Sequence, residues 1–239
     1  MSQKNKILSY SNSYLGSRKH NEDSYNIEVF EDLTIAAIAD GVGGRNCGAL
    51  ASKFCIDSFH LEVRQNRSMD LKNIVTKINK GLLKLGLESP NCAGMATTFT
   101  ACVVSDNILK GIHIGDTRVC VLRKNGIKEL TIEHSEGARL RRLNLITSEQ
   151  FYNYPRKHII EGALGIGDNI DSQSFEFHLQ KKDRIILSTD GFHNNISKLV
   201  LRNLSVQNLS PEQFFQSLET ELIQKKLTDN ATFILLEII

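Results

Sequence analysis

The sequence of 239 residues contains no tryptophan, three prolines and five cysteines. The cysteines stand at positions 47, 55, 92, 102 and 120 without CxxC spacing. This argues against a zinc site or a redox pair and favours reduced thiols, as in cytosolic proteins. No apolar run approaches the roughly 18 residues of a membrane helix, and the first residues lack the apolar core of a signal peptide. We therefore expect a cytoplasmic protein with no membrane partner.

An excess of one charge is also missing, because 29 lysines and arginines accompany 27 aspartates and glutamates. This balance gives no basic footprint of the kind that nucleic-acid-binding proteins show, so no nucleic-acid partner is expected. The chain has no GxxxxGKS/T motif, no HExxH spacing, and no cysteine with an arginine six positions later. These absences argue against a P-loop enzyme, a zinc protease and a phosphatase with a thiolate nucleophile.

The chain does have acidic residues at the ends of apolar, strand-like runs. They are Asp40, Asp116, Asp190 and Asp229. Because a strand end brings its side chain to the rim of a core, these carboxylates are expected to converge there. Converging carboxylates repel one another and resist desolvation, and hard divalent cations with oxygen ligands relieve both costs. The pattern predicts a carboxylate site for Mg²⁺ or Mn²⁺.

The periodicity of apolar residues predicts an α+β fold without a domain boundary, so that residues 1–239 form one domain. Strands are predicted at 7–14, 24–30, 33–39, 96–105, 108–114, 117–123, 127–132, 172–179, 183–189 and 231–239. Helices are predicted at 46–65, from Leu71 to Leu85, near Thr147 or Ser148, and after Ser210. Tight turns, among them Asn125–Gly126, favour stacked antiparallel sheets covered by helices.

Two short motifs have both a plain and a functional interpretation. Asp40–Gly44 is an ordinary Asp-Gly turn or a loop whose glycines let the backbone approach a ligand. Arg18 precedes Glu22 and Asp23, either in a solvated charged loop or as a guanidinium that binds a phosphate oxyanion beside an acidic metal shell. Asp116 lies in a segment that is equally typical of a β-turn.

The ordered set of motifs resembles the metal-dependent Ser/Thr protein phosphatases of type 2C, particularly their compact bacterial-type members. The resemblance runs nearly end to end, through GSRKHNEDSY, AIADGVGG, MATTFTACVV, HIGDTRVCVL, HSEGARLRRLNLITSEQFYNYPRKHIIEGALG, RIILSTDGF and TDNATFILLEI. It implies two stacked antiparallel β-sheets flanked by α-helices. It also implies hydrolysis of phosphoserine and phosphothreonine on proteins by a metal-activated water.

The resemblance assigns roles residue by residue. Asp40 corresponds to the carboxylate that bridges two metals, and the Gly41 carbonyl to a ligand of the second metal. Asp190 and Asp229 correspond to ligands of the first metal. The remaining matches are Glu22, which reaches the second metal through water; Arg18, which binds phosphate; Asp116, which with Asp190 holds a weaker third metal; and Asp23 and Asn230, which support the ligands.

The implied cofactor is Mn²⁺ or Mg²⁺, two per chain with a weaker third. Residues 133–165 correspond to a flap that borders the cleft and influences the choice of protein substrate. The implied partners are phosphorylated Ser/Thr proteins, including a Ser/Thr kinase and its substrates, and a monomer is expected.

Four departures from the family pattern concern the leaving group and specificity, and none removes a metal ligand. Val42 stands where many members have histidine or methionine, so another proton donor is needed. Metal-bound water is the first candidate, and His20 and His193 are the second. Ala96 and Asn144 replace usual glycines, and the residues after Gly191 also differ. Two alternatives stay open: a pseudophosphatase that binds phosphoproteins as a regulatory module, and a phosphatase of one specialised regulator.

Overall fold

The computed structural model describes residues 6–42, 47–68, 70–157 and 159–239. Its strands are β1 Ile7–Tyr14, β2 Asp23–Val29, β3 Thr34–Val42, β4 Ala96–Thr97, β5 Phe99–Ser105, β6 Ile108–Ile114, β7 Arg118–Arg123, β8 Gly126–Glu129, β9 Gln173–His178, β10 Arg184–Ser188 and β11 Ala231–Ile238. Its helices are α1 Cys47–Gln65, α2 Leu71–Glu88, α3 Glu136–Arg142, α4 Ser148–Asn153, α5 Asp190–His193, α6 Lys198–Gln207 and α7 Pro211–Ile223.

The strands form two antiparallel sheets, which confirms the predicted fold class. One sheet has the order β1-β11-β10-β7-β8, and the other has the order β2-β3-β5-β6-β9 with β4 paired to β3. Successive side chains of β3 point to opposite faces of its sheet and pack in two different cores. Ile35, Ala37 and Ala39 pack in the cluster that includes α1 and α2, whereas Ala36 and Ile38 pack in the cluster between the sheets. A third cluster packs α5, α6 and α7 on the outer face of the first sheet.

Most predicted elements are present with bounds within a few residues, and the local signals explain why. Thr147 caps α4 with a full capping box, and the Ser210 hydroxyl accepts a hydrogen bond from the Gln213 amide at the start of α7. Asn144 has a φ of 56°, which asparagine tolerates. No helix among the described segments is both long and apolar enough to cross a bilayer.

The predicted hairpin turn at Asn125–Gly126 is wrong by one residue. Arg123 pairs with Gly126, so the two-residue loop is Lys124–Asn125 and the glycine begins β8. Lys124 takes the left-handed conformation, with a φ of 53°, that the turn requires at its first position. The strand then ends at Glu129, earlier than expected.

The expectation that all five cysteines are reduced is also wrong. Cys47 and Cys92 form a disulfide that joins the start of α1 to the loop before β4. Cys55, Cys102 and Cys120 are free and buried. Because the bridged cysteines are 45 residues apart, sequence spacing gave no sign of their contact.

Candidate active site

The acidic residues singled out from the sequence converge at one end of the sandwich. Asp40 lies near the end of β3 and pairs in register with Asp23 at the start of β2. Asp190 begins α5 directly after β10, and Asp229 comes just before β11. Asp116 lies in the turn between β6 and β7. Five carboxylates from separate parts of the chain therefore meet at one end of the sandwich, where their charges act on one another, and this region is the candidate cleft.

These carboxylates perturb one another. Burial raises the pKa of Asp40 well above its usual range, and the charges of Asp23, Asp190, Asp116 and Asp229 raise it further. Burial, followed by the charge of Asp190, raises the pKa of Asp116 to about 7. Burial also raises the pKa of Asp23 to about 7, although two hydroxyl groups oppose the shift. The cluster therefore carries more negative charge than the nearby Arg18 can offset.

The backbone around Asp40 is held by two threonines. The Asp40 amide donates to the Thr98 hydroxyl at 2.9 Å, and the Asp40 carbonyl accepts from the Thr98 amide and the Thr97 hydroxyl, each at 2.9 Å. Both threonines are fully buried. They belong to the MATTFTACVV segment, and sequence reasoning gave them no role because a threonine pair is common in strands.

Glu22 and Gly41 are brought together by close backbone packing. The Gly41 amide donates to the Glu22 carbonyl at 3.1 Å. A Cβ at Gly41 would lie 2.1 Å from the Gly48 carbonyl oxygen, and a Cβ at Gly48 would lie 2.6 Å from Glu22 Oε1. Glycine is required at both positions because α1 begins against the Glu22 loop. Gly43 and Gly44 lie outside the described residues.

Asn230 and Asp23 support the cluster from behind. The Asn230 side chain accepts from the Glu22 amide at 2.9 Å and donates to the Leu15 and His20 carbonyls at 2.9 and 3.1 Å. It thereby fixes the loop that carries Arg18. Asp23 Oδ2 accepts from the hydroxyls of Thr189 and Thr232, at 2.8 and 2.6 Å.

The cationic and histidine candidates differ in their placement. The Arg18 guanidinium contacts Asp229 Oδ2 at 2.6 Å, with both side chains partly exposed. The His20 side chain is exposed. His193 is buried in α5, and its Nδ1 lies 3.2 Å from the Ser188 hydroxyl. Val42 is 47% exposed, so the rim of the site is apolar at this position.

The segment predicted as a flap contains α3 and α4. Glu136 is paired with Arg156 at 2.7 Å and hydrogen-bonded to Tyr154. The two ends of this segment are tied to each other, because the Glu161 amide donates to the His134 carbonyl. The second end is also tied to β4, because Leu164 pairs with Thr97. His158 lies outside the described residues.

The donors in the cleft fit a hard divalent cation. They are carboxylate and carbonyl oxygens, and buried Asp23 Oδ1 and Asp116 Oδ1 lack a hydrogen-bond partner within the described chain. No three His, Cys, Asp or Glu side chains in the described segments already have the spacing of an ion-binding group. The fit therefore lies in the chemistry of the donor atoms and in the excess of negative charge over Arg18, and not in a finished coordination shell.

Comparison with known proteins gives a consistent result. The family model described as protein phosphatase 2C matches residues 12–230. A serine/threonine phosphatase from Listeria welshimeri is 26% identical over 229 residues, covering 92% of this chain and 91% of the relative.

Two solved structures show the same fold. The serine/threonine phosphatase of S. agalactiae superposes with a TM-score of 0.89 at 22% identity, covering 98% of this chain and all of the other. The catalytic domain of the phosphatase PstP, crystallised with two manganese ions, gives a TM-score of 0.84 at 24% identity and covers 99% of this chain and all of the other.

Proposed function

The chain belongs to the protein phosphatase 2C family and is a protein-serine/threonine phosphatase, and we propose that it hydrolyses phosphoserine and phosphothreonine on protein substrates with the help of Mn²⁺ or Mg²⁺. The observation that carries this proposal is the convergence of Asp40, Asp116, Asp190 and Asp229 with Arg18 beside them. An acidic cluster with one arginine suits an anionic substrate that is held between the arginine and cations.

The proposed ligands follow the placement of the carboxylates. Asp40, the Gly41 carbonyl, Asp190 and Asp229 would hold two cations, with Glu22 reaching one of them through water. Asp116 and Asp190 would hold a weaker third. The chemistry that such cations supply when bound is acidification of a water at neutral pH and neutralisation of phosphate charge.

Arg18 would bind a phosphoryl oxygen of the substrate. Its guanidinium is anchored to Asp229 at 2.6 Å, and the charges of Asp190 and Asp40 also reach it. A planar guanidinium has five N–H donors, so the contact with Asp229 leaves others for the phosphate. In this arrangement Asp229 orients the arginine toward the cleft.

The proton for the leaving seryl or threonyl oxygen must come from a group other than residue 42, because valine has no donor. We propose water at the cation site as its source. His193 is a poor candidate because it is buried against Ser188, and His20 is better placed because its side chain is exposed.

The alternative of a binding module without activity is not favoured, because the similar proteins are named serine/threonine phosphatases and the sequence keeps every carboxylate that the family resemblance assigns to a cation. Phosphorylated proteins, including a Ser/Thr kinase, are the proposed partners, with the flap selecting among them, and a monomer remains the proposed state. A cytoplasmic location is also proposed. The Cys47–Cys92 disulfide argues against it, since cytosolic thiols are usually reduced.

Hydrolysis of p-nitrophenyl phosphate and of a phosphothreonine peptide, with Mn²⁺ added, tests the proposal. We expect both substrates to be hydrolysed by the wild type and neither by Asp40→Asn. Asp57→Asn is a matched control, because Asp57 is an exposed carboxylate on α1 paired with Lys53. An Asp57→Asn protein as inactive as Asp40→Asn would contradict the assignment of the site.

A further inference from the structure

A buried row of hydrogen bonds connects β6 to the turn that carries Asp116. His113 Nδ1 lies 2.7 Å from the Thr100 hydroxyl, which lies 2.5 Å from the Thr117 hydroxyl. These three side chains are at most 1% exposed. They lie outside the carboxylate cluster, and the proposed chemistry does not use them.

The direction of the donors in this row is fixed by its far end. His113 Nε2 lies 3.1 Å from the Ile132 carbonyl, which can only accept, so Nε2 carries the proton. Nδ1 then accepts from Thr100, whose oxygen is left to accept from Thr117. Burial, followed by the nearby His134, lowers the pKa of His113 to about 3. The ring therefore stays neutral at pH 7, and the donors and acceptors along the row keep these roles.

The turn itself is held on its other side by His134. The His134 amide donates to the Gly115 carbonyl at 2.7 Å, and the Gly115 amide points to His134 Nδ1 at 3.4 Å. Gly115 has a φ of 109°, and a Cβ there would lie 2.6 Å from the Thr98 side chain. The backbone on both sides of Asp116 is therefore clamped.

The Asp116 side chain has much less support. Its Oδ1 is buried and accepts no hydrogen bond from the described residues. The carboxylate does accept a hydrogen bond from the Asp116 backbone itself, so the backbone of this turn, from Gly115 to Thr117, sets its direction. Hydrogen bonds behind a metal ligand commonly change metal affinity by roughly 10–100-fold.

We propose that Thr117, Thr100 and His113 are positioning residues that aim the Asp116 carboxylate at the weaker cation site. This rests on the proposed role of Asp116. Losing the Thr100 hydroxyl breaks the row at its centre, leaves Thr117 without its acceptor, and lets the Asp116 turn move. The weaker site should lose affinity, whereas the two tighter sites, which lack this support, should not.

The test compares Thr100→Val, which removes the hydroxyl at nearly constant shape, with Thr100→Ser, which keeps it. Mn²⁺ binding is measured by titration calorimetry, together with the Mn²⁺ concentration that gives half-maximal phosphopeptide hydrolysis. We expect Thr100→Val to weaken the weaker Mn²⁺ site about tenfold or more, with Thr100→Ser close to wild type.

Thr131→Val is the matched control. Thr131 is buried, and its hydroxyl accepts from the amide of Val119, on the strand β7 that follows Thr117, at 3.1 Å. It lies outside the row. Equal Mn²⁺ affinities in wild type and Thr100→Val, or an equal loss in Thr131→Val, would overturn the inference. If Thr100→Val does not fold, Thr117→Val against Thr117→Ser makes the same comparison from the other end of the row.

A double-mutant cycle separates this inference from the role of Asp116. In an Asp116→Asn protein, Thr100→Val should cause no further loss of Mn²⁺ affinity, because the side chain it positions has already been changed. If Asp116→Asn alone leaves Mn²⁺ binding unchanged, the assignment of Asp116 fails, and the positioning role fails with it. Phosphopeptide hydrolysis by the wild type in the same experiment shows whether the proposed function stands.

Discussion

Arg18 Nη2 and Asp229 Oδ2 lie 2.6 Å apart at the rim of the cleft, although 211 residues separate them in sequence. The side chains are 55% and 37% exposed, and an ion pair this open adds little to stability. The pair therefore has a better use in orienting the guanidinium toward a bound phosphate.

Arg18→Ala should raise KM for p-nitrophenyl phosphate about tenfold, because a charge-assisted hydrogen bond to the substrate is worth roughly 1.5–3 kcal/mol before allowance for its exposure. Mn²⁺ affinity should change little. Arg67→Ala is the control, since Arg67 has the same 2.6 Å contact with Asp32 and similar exposure. An unchanged KM in Arg18→Ala would show that Arg18 is only a surface charge.

Asp190→Asn should lower turnover by more than the roughly 10–100-fold typical of residues behind metal ligands. The substitution removes a negative charge that the cation site needs. The asparagine amide has nearly the same shape and can still form hydrogen bonds, so the fold should be unchanged. Circular dichroism should show an intact protein. Near-normal turnover at ordinary Mn²⁺ concentration would remove Asp190 from the ligand set.

The raised pKa of Asp116 makes a prediction for the metal-free protein. A carboxyl group whose pKa is about 7 when folded and about 4 when unfolded binds more protons in the folded state across that interval. Its ionisation therefore lowers the free energy of unfolding as pH rises from about 4 to 7. A substitution that removes the Asp116 charge should therefore remove this decrease in the free energy of unfolding.

Asp116→Asn should thus be more stable than wild type at pH 7.5 in chelator, by roughly 2–4 kcal/mol, and the difference should shrink toward pH 4. Urea unfolding of both proteins across this range measures it. The lowered pKa of buried His113 makes stability rise with pH, which is the opposite effect. Because both proteins contain this histidine, its contribution cancels in the comparison. A difference that stays constant with pH would contradict the buried, repelled state of Asp116.

Leaving-group dependence tests the source of the proton. A p-nitrophenolate leaves without protonation, whereas a serine alkoxide needs a proton. We expect His20→Ala and His193→Ala to slow phosphopeptide hydrolysis less than tenfold. A loss of about 10²-fold for the phosphopeptide alone, as removal of a general acid gives, would identify that histidine as the donor.

The sequence predicted the parts of the site that local rules control. Asp40 and Asp190 follow apolar runs of strand length, so their arrival at a sheet end could be expected. The N-caps at Thr147 and Ser210 were predictable for the same reason, since each is set within four residues. The family resemblance indicated which of these residues come together in one site.

The remaining features depend on contacts between distant segments or on weak signals. The Cys47–Cys92 bridge and the Asn230 contact with the Glu22 amide join residues 45 and 208 positions apart. Helix α3 was missed because its apolar period is hidden by Gly137 and three arginines, although Ser135 caps it. Helix α6, which Ser197 caps, had a usable signal that was not recognised.

The central claim is that the carboxylate cleft catalyses phosphoprotein hydrolysis only with a hard divalent cation. Release of phosphate from a phosphothreonine peptide, measured first in Mn²⁺, then in excess chelator, and again after Mn²⁺ is restored, tests it most directly. The account predicts activity, its loss and its full return, with Asp40→Asn inactive throughout. Undiminished hydrolysis by the wild type in chelator would contradict it.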